Sequence, residues 1–222
     1  MTRRDRRDPT TGGAAGPRPR GGLADKRRAI LAGALTVFAR DGYTRAGVDA
    51  IAAEAGVSTR TIYNHFTDKA ELFRSVIQES ATRAADAQIE IIDRHLRKVM
   101  ELEADLVAFG LDWAAQSTAG HAEHFSLTRQ INAERGHIPR SAIDAWQEIG
   151  PLRVRRVLAD RLRVLIGRGL LRDGDPERAA LHLMRLVSVT NPSYPGATTP
   201  GDDEITEAVE AGVRAFLHGY LS

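Results

Sequence analysis

The chain has no cysteine among its 222 residues. That excludes disulfides and thiolate chemistry and removes one sign of export, so the cytoplasm is the expected compartment. It also has no uninterrupted apolar run near the ~20 residues that a bilayer span needs, and its arginine-rich start lacks the apolar stretch of a signal peptide. No membrane partner is therefore expected. Three catalytic patterns are missing as well: HExxH, a glycine-rich phosphate loop and a nucleophile elbow. No segment alternates polar and apolar residues for a useful strand length. The remaining expectation is a helical protein that is not an enzyme and holds no cofactor. At 42% hydrophobic and 27% charged, the composition is ordinary for a soluble protein, enough for one sizeable core or for a small domain beside a larger one.

Charge is uneven along the chain. Residues 1 to 28 hold nine Arg and Lys against Asp5, Asp8 and Asp25, a surplus of six, so the remainder must carry −4 to give the overall +2. Thr10 to Gly22 are mostly Gly, Pro, Ala and Arg, a composition that buries too little apolar surface to fold. The expectation is a flexible basic arm over residues 1 to 22, lying along DNA phosphates or in a minor groove. The competing readings are a solvated tail or a misassigned start codon.

Ordered structure is expected from about Asp25, where Ala29, Ile30, Ala34, Val37 and Phe38 trace one helical face that Asp41-Gly42 ends. A second helix follows: Val48, Ile51, Ala52 and Ala55 keep helical spacing, Gly56 breaks it and Ser58 restarts it. Glycine accepts the positive φ that ends a helix, and a serine hydroxyl accepts from the orphan amides of the next one. The result reads as a helix-turn-helix. Ile62 and Phe66, four apart, point inward with Val57. Thr59, Arg60, Thr61, Tyr63, Asn64 and His65 are left outside, a face rich in hydrogen-bonding groups.

The run AGVSTRTIYNHFTDKAELF resembles the TetR family of bacterial transcriptional regulators, whose signature is a helix-turn-helix, then Tyr-x-x-Phe, then a Lys that opens a long helix. The resemblance implies DNA contacts from Ser58, Thr59, Arg60, Thr61, Tyr63, Asn64 and His65, and a phosphate contact from Lys69. The chain departs from the family just before Val48: Ala46 and Gly47 stand where Thr or Ser is common, leaving Thr44 or Arg45 as the substitute contact. Asp68 and Glu71 are spaced as a capping box around Lys69, and the long helix is expected to reach about Leu96. Residues 23 to 70 form the expected DNA-binding domain and 71 to 222 the larger helical one. Within the latter, HIPRSAIDAWQEIGPLRVRRVLADRLRVLIGRGLLRDGDPERAAL is similar to the AefR-type C-terminal domain.

Further helices are signalled by Leu102, Leu106, Phe109, Trp113 and Ser117, by Phe125, Thr128, Arg129 and Asn132, by Pro139, by Gly150-Pro151 ahead of Leu152 to Ile166, and by Asp175-Pro176. Asn191 to Gly201 reads as a loop. The last helix has a wide apolar face from Ile205 to Tyr220, with Ala208, Gly212 and Ala215 small enough for close approach by another helix. In the TetR family the last two helices pair across a two-fold axis, which implies a homodimer interface from Leu183, Met184, Val187, Val209, Gly212, Val213 and Phe216. The competing reading is a helix that closes its own domain's core.

Between Met100 and Gly169 lie both tryptophans, Trp113 and Trp146, with Phe109, Phe125, His124, Arg129 and Asn132. That mixture suits an apolar effector pocket with sparse orienting groups, or simply a core. The combined expectation is an all-α, homodimeric, one-component repressor that binds a palindromic double-stranded operator and is released by a small apolar or aromatic effector. Two alternatives stand: a metal-binding helical protein using His121 and His124 at i, i+3 spacing, and a DNA binder without ligand control.

Overall fold

The computed structural model describes residues 22–116, 122–189 and 201–221. The basic arm apart from Gly22, together with Ser117, His121 and residues 191–200 of the expected loop, lies outside these. Among the described residues there are ten helices and one isolated antiparallel bridge, Leu171 to Leu221, so the protein is all-α. The helices are α1 (Gly22–Arg45), α2 (Val48–Glu54), α3 (Thr59–Tyr63), α4 (Lys69–Leu96), α5 (Leu102–Ala115), α6 (Ala122–Ala133), α7 (Arg140–Ile149), α8 (Pro151–Gly167), α9 (Pro176–Leu186) and α10 (Asp202–Tyr220). None of the described helices is long and apolar enough to cross a membrane.

Local chemistry accounts for the boundaries. Gly42, at φ 79° and ψ 173°, breaks α1 before its last turn, in a region of backbone space that a side chain resists. Gly56, at φ 64°, ends the turn after α2. Ser58 caps α3, its hydroxyl accepting from the Thr61 amide at 3.1 Å. Half of the expected capping box forms at α4: Asp68 accepts from the Glu71 amide at 2.7 Å, but the Glu71 carboxylate reaches past the cap residue to the Thr67 amide and hydroxyl, at 2.6 Å each. Those Thr67 bonds hold the Glu71 carboxyl below the usual carboxylate value. A depressed carboxylate stabilises the fold above its unfolded pKa, so this cap weakens only as acid protonates Glu71. Asp175 caps α9 through the Glu177 and Arg178 amides.

Packing divides the helices differently from their order along the chain. One core joins α1, α2, α3 and the first half of α4 to α6 and α7, with Phe38, Phe73, Leu127, Ile131 and Trp146 buried in it. The other joins the second half of α4 to α5, α8, α9 and α10, around Phe109, Leu158, Leu183 and Phe216. α4 is the shared spine, with Leu72 to Ala81 in the first core and Ala85 to Leu96 in the second. Each fully buried aromatic or branched side chain contributes roughly 1.5–3 kcal/mol by leaving water. In the first core, Phe38 meets Phe73 edge-on at 4.9 Å between centroids, and Tyr43 lies 4.7 Å from Phe73.

Three sequence expectations are corrected here. In α6 the buried stripe is Leu127 and Ile131, each 1% exposed, while Arg129 and Asn132 are exposed and Phe125 and Thr128 half-buried; the helix turns its branched aliphatics toward α1. Trp146, on α7, is buried in the first core rather than with Phe109 and Trp113 in the second. Leu183, Val187, Val209, Val213 and Phe216 are fully buried inside the chain's own second core, with Met184 packed on it. Gly212 serves that core too. A Cβ on it would fall 2.1 Å from the Leu186 carbonyl oxygen, so its smallness lets α9 and α10 of one chain touch backbone to backbone.

Candidate nucleic-acid interface

α3 stands on the first core through two anchors, Ile62 (2% exposed) and Phe66 (3% exposed). With these facing in, Arg60, Tyr63 and Asn64 are exposed, and their i, i+3, i+4 spacing puts them on one face of the helix. Tyr63 is 55% exposed, far more than a tyrosine kept for packing. Arginine pairs bidentately with guanine and asparagine with adenine in a major groove, so this face has the donors and acceptors for base reading.

The other sequence candidates take different positions. Ser58 and Thr61 are turned to each other, hydroxyl to hydroxyl at 2.9 Å; they hold the start of α3, and Thr61 is half-buried. Thr59 and His65 are also half-buried, flanking the exposed face. Arg45 is exposed at the end of α1. Lys69 bends toward the α1–α2 corner, where its Nζ donates to the Thr44 carbonyl at 3.1 Å and lies 5.0 Å from the centre of the Tyr43 ring. Partial burial draws its pKa below the usual lysine value, and the Glu134 carboxylate opposes that shift. Two N–H groups remain for a phosphate.

One residue escaped the sequence reading. Arg27, on the exposed start of α1, has its guanidinium carbon 5.4 Å from the centre of the Phe66 ring. Its charge is thereby brought to the end of α3, beside the reading face. The signal was in the basic count for residues 1 to 28, but only the fold shows that Lys26, Arg27 and Arg28 belong to a helix docked on the head.

Among the described residues the candidate effector side chains are divided between the two cores and the surface. Phe109 and Trp113 are buried side by side in the second core, 5.5 Å between ring centres. His124 is half-buried, its Nδ1 2.9 Å from the Ser80 hydroxyl and its ring edge-on to Phe125. Arg129 donates to Ser126 at 2.7 Å on the surface. A separate open cleft of about 390 Å³ lies between α1, α2, α4 and α6, lined by Ala32, Gly33, Thr36, Glu54, Arg83 and Glu123 among others. Among the described residues no three His, Asp or Glu side chains group as metal ligands would.

Comparison with known proteins agrees with this geometry. Residues 30–76 match the family described as bacterial regulatory proteins, tetR family. Residues 105–222 match the AefR-like transcriptional repressor C-terminal domain. The chain is 42% identical over 149 residues to the HTH-type transcriptional activator FasR of Mycolicibacterium smegmatis (strain ATCC 700084 / mc(2)155), covering 66% of this chain and 62% of that relative's length. Among solved structures, a TetR-family transcriptional regulator from Mesorhizobium loti MAFF303099 superposes with TM-score 0.76 at 30% identity, over 90% of this chain and 99% of that one. The flavonoid-responsive regulator FrrA superposes with TM-score 0.62 at 28% identity, over 89% and 98%.

Proposed function

The chain belongs to the TetR family of bacterial regulatory proteins, and from that membership we propose a one-component repressor that binds an inverted-repeat operator as a homodimer and releases it on binding a small aromatic effector. Membership makes it a DNA-binding regulator rather than an enzyme. The observation that carries the reading is the exposed Arg60, Tyr63 and Asn64 face of α3, raised on Ile62 and Phe66 and flanked by Arg27, Arg45 and Lys69. Selection from a random-sequence duplex library by the purified protein tests it. The expected product is two inverted half-sites about one helical turn or a multiple apart. Recovered DNA no richer in any sequence than the input would sink it.

Dimerisation needs a surface that the monomer leaves free. On the last two helices the exposed residues include Leu181 (39%) and Leu186 (40%) of α9 and Ala208, Ala211 and Ala215 of α10. The α10 set is a stripe of small residues with room for a partner helix. We assign the two-fold contact to this face in place of the buried set expected from sequence. Leu181→Asp combined with Ala211→Asp puts like charges across the axis; sedimentation should show monomers, while far-ultraviolet circular dichroism should keep the helix content of the wild type. A dimer untouched by both changes places the contact elsewhere.

Repression is supported by the AefR-like repressor domain over residues 105–222; the activator FasR represents the opposite sign within the same family. FrrA is a flavonoid-responsive regulator, which favours planar aromatic effectors here. The selected duplex then serves as the reporter: flavonoids that bind this protein should weaken its hold on that duplex. Compounds that bind but never change duplex affinity would leave a DNA binder without ligand control.

A further inference from the structure

α6 meets α1 along a seam with a carboxylate near each end. Near its start, Glu123 accepts from the Thr36 hydroxyl at 2.9 Å. Just past its last residue, Glu134 accepts from both the amide and the hydroxyl of Thr44, at 2.8 and 3.0 Å. Thr44 sits in the α1–α2 corner, next to the exposed Arg45. Its remaining polar group, the carbonyl, accepts from Lys69, the first residue of α4. All three polar groups of Thr44 are therefore taken, two by α6's carboxylate and one by α4's ammonium. The backbone is shaped for this junction. Gly42 holds φ at 79°, and a Cβ on it would fall 2.2 Å from Glu134 Oε1, so glycine supplies both the turn and the space for the carboxylate.

We propose that Glu134 is a positioning residue that ties α6 to the DNA-reading head, so that the arrangement of α6 and occupancy of the head by DNA are linked. The inference rests on the DNA-binding reading and deepens it by naming where regulation enters. α4 also runs from the head into the second core, and α6 already packs on α1 through Leu127 and Ile131. That apolar packing has little directionality, whereas the Thr44 junction adds a directed polar tie between the α1–α2 corner and the end of α6. Because linkage is reciprocal, DNA bound at the head must alter α6 by the same coupling through which a change in α6 alters DNA affinity.

Hydrogen exchange of the full chain, with and without the duplex recovered by selection, tests this. In the wild type, duplex binding should slow exchange at residues 56–69 and also change it in α6, at least about fivefold, the lower end of ordinary allosteric coupling. In Glu134→Ala, residues 56–69 should still respond while the α6 response disappears. Thr44→Val keeps the amide and loses the hydroxyl, and should show a reduced α6 response. Glu134→Gln keeps an acceptor and should restore part of it, which a residue needed only for folding would not do. Protection at residues 56–69 with α6 unmoved in the wild type overturns the coupling alone. An α6 response in Glu134→Ala equal to the wild type's does the same. No protection at residues 56–69 in any form overturns the DNA-binding reading and this proposal with it.

Discussion

A single methyl at Gly212 is expected to lower the melting temperature nearly as far as a whole leucine would. The hypothetical Cβ lies 2.1 Å from the Leu186 carbonyl oxygen and 2.7 Å from its carbon, and backbone atoms cannot rotate out of the way as a side-chain tip does. Overpacking ordinarily costs about 1–3 kcal/mol, and a clash with main chain belongs at or above the top of that range. For a protein of this size, about 3 kcal/mol corresponds to roughly 6–12 °C in melting temperature. Gly219, on the same helix, has nothing within 4 Å of its Cβ position, so Gly219→Ala should be neutral or gain up to about 1 kcal/mol from helix propensity. The pair isolates the crossing from any general intolerance of α10. Gly212→Ala melting with the wild type would mean that α9 and α10 are farther apart than described.

Gly212 also shows where sequence stops being sufficient. Ala208, Gly212 and Ala215 look alike as small residues on one helix, yet Gly212 is buried against α9 while Ala208 and Ala215 are exposed. Periodicity says that a face will be covered; it does not say by what. The same gap explains α6. Its sequence has an aliphatic stripe, Leu127 and Ile131, beside a showier aromatic and polar one, and the choice between them depends on α1, about ninety residues earlier. Trp146 likewise belongs to the first core, away from Phe109 and Trp113 in the second. The head was legible because its determinants are local: Gly56 needs positive φ, Ser58 needs Thr61 three residues on, and Ile62 and Phe66 are one turn apart. Lys69 falls between these cases. Its place at the start of α4 is local chemistry, but its bond to Thr44 joins residues 25 apart in sequence.

Arg60→Ala should produce the largest loss in operator binding of any change confined to the surface. Arg60 is exposed at the front of the reading face, where a helix docked in the major groove first meets base edges. A bidentate arginine–guanine pair discriminates by about 1–3 kcal/mol. The proposed symmetric dimer loses it twice, so its inverted-repeat site should weaken by about 2–6 kcal/mol, roughly thirtyfold to twenty-thousandfold. Loss of charge also weakens random duplex, but only through phosphate attraction, so the ratio of specific to non-specific affinity must fall. Arg60→Lys keeps the charge without the planar fork and should restore random-duplex affinity while leaving most of the specificity lost. Lys69→Ala should behave in the opposite way, weakening specific and random duplex alike and flattening the salt dependence by about one phosphate contact per head. Fluorescence anisotropy with the selected duplex and a scrambled one, at several salt concentrations, separates these patterns. If Arg60→Ala keeps the full specificity ratio, the bases are read by Tyr63 and Asn64, and Arg60 only holds the backbone.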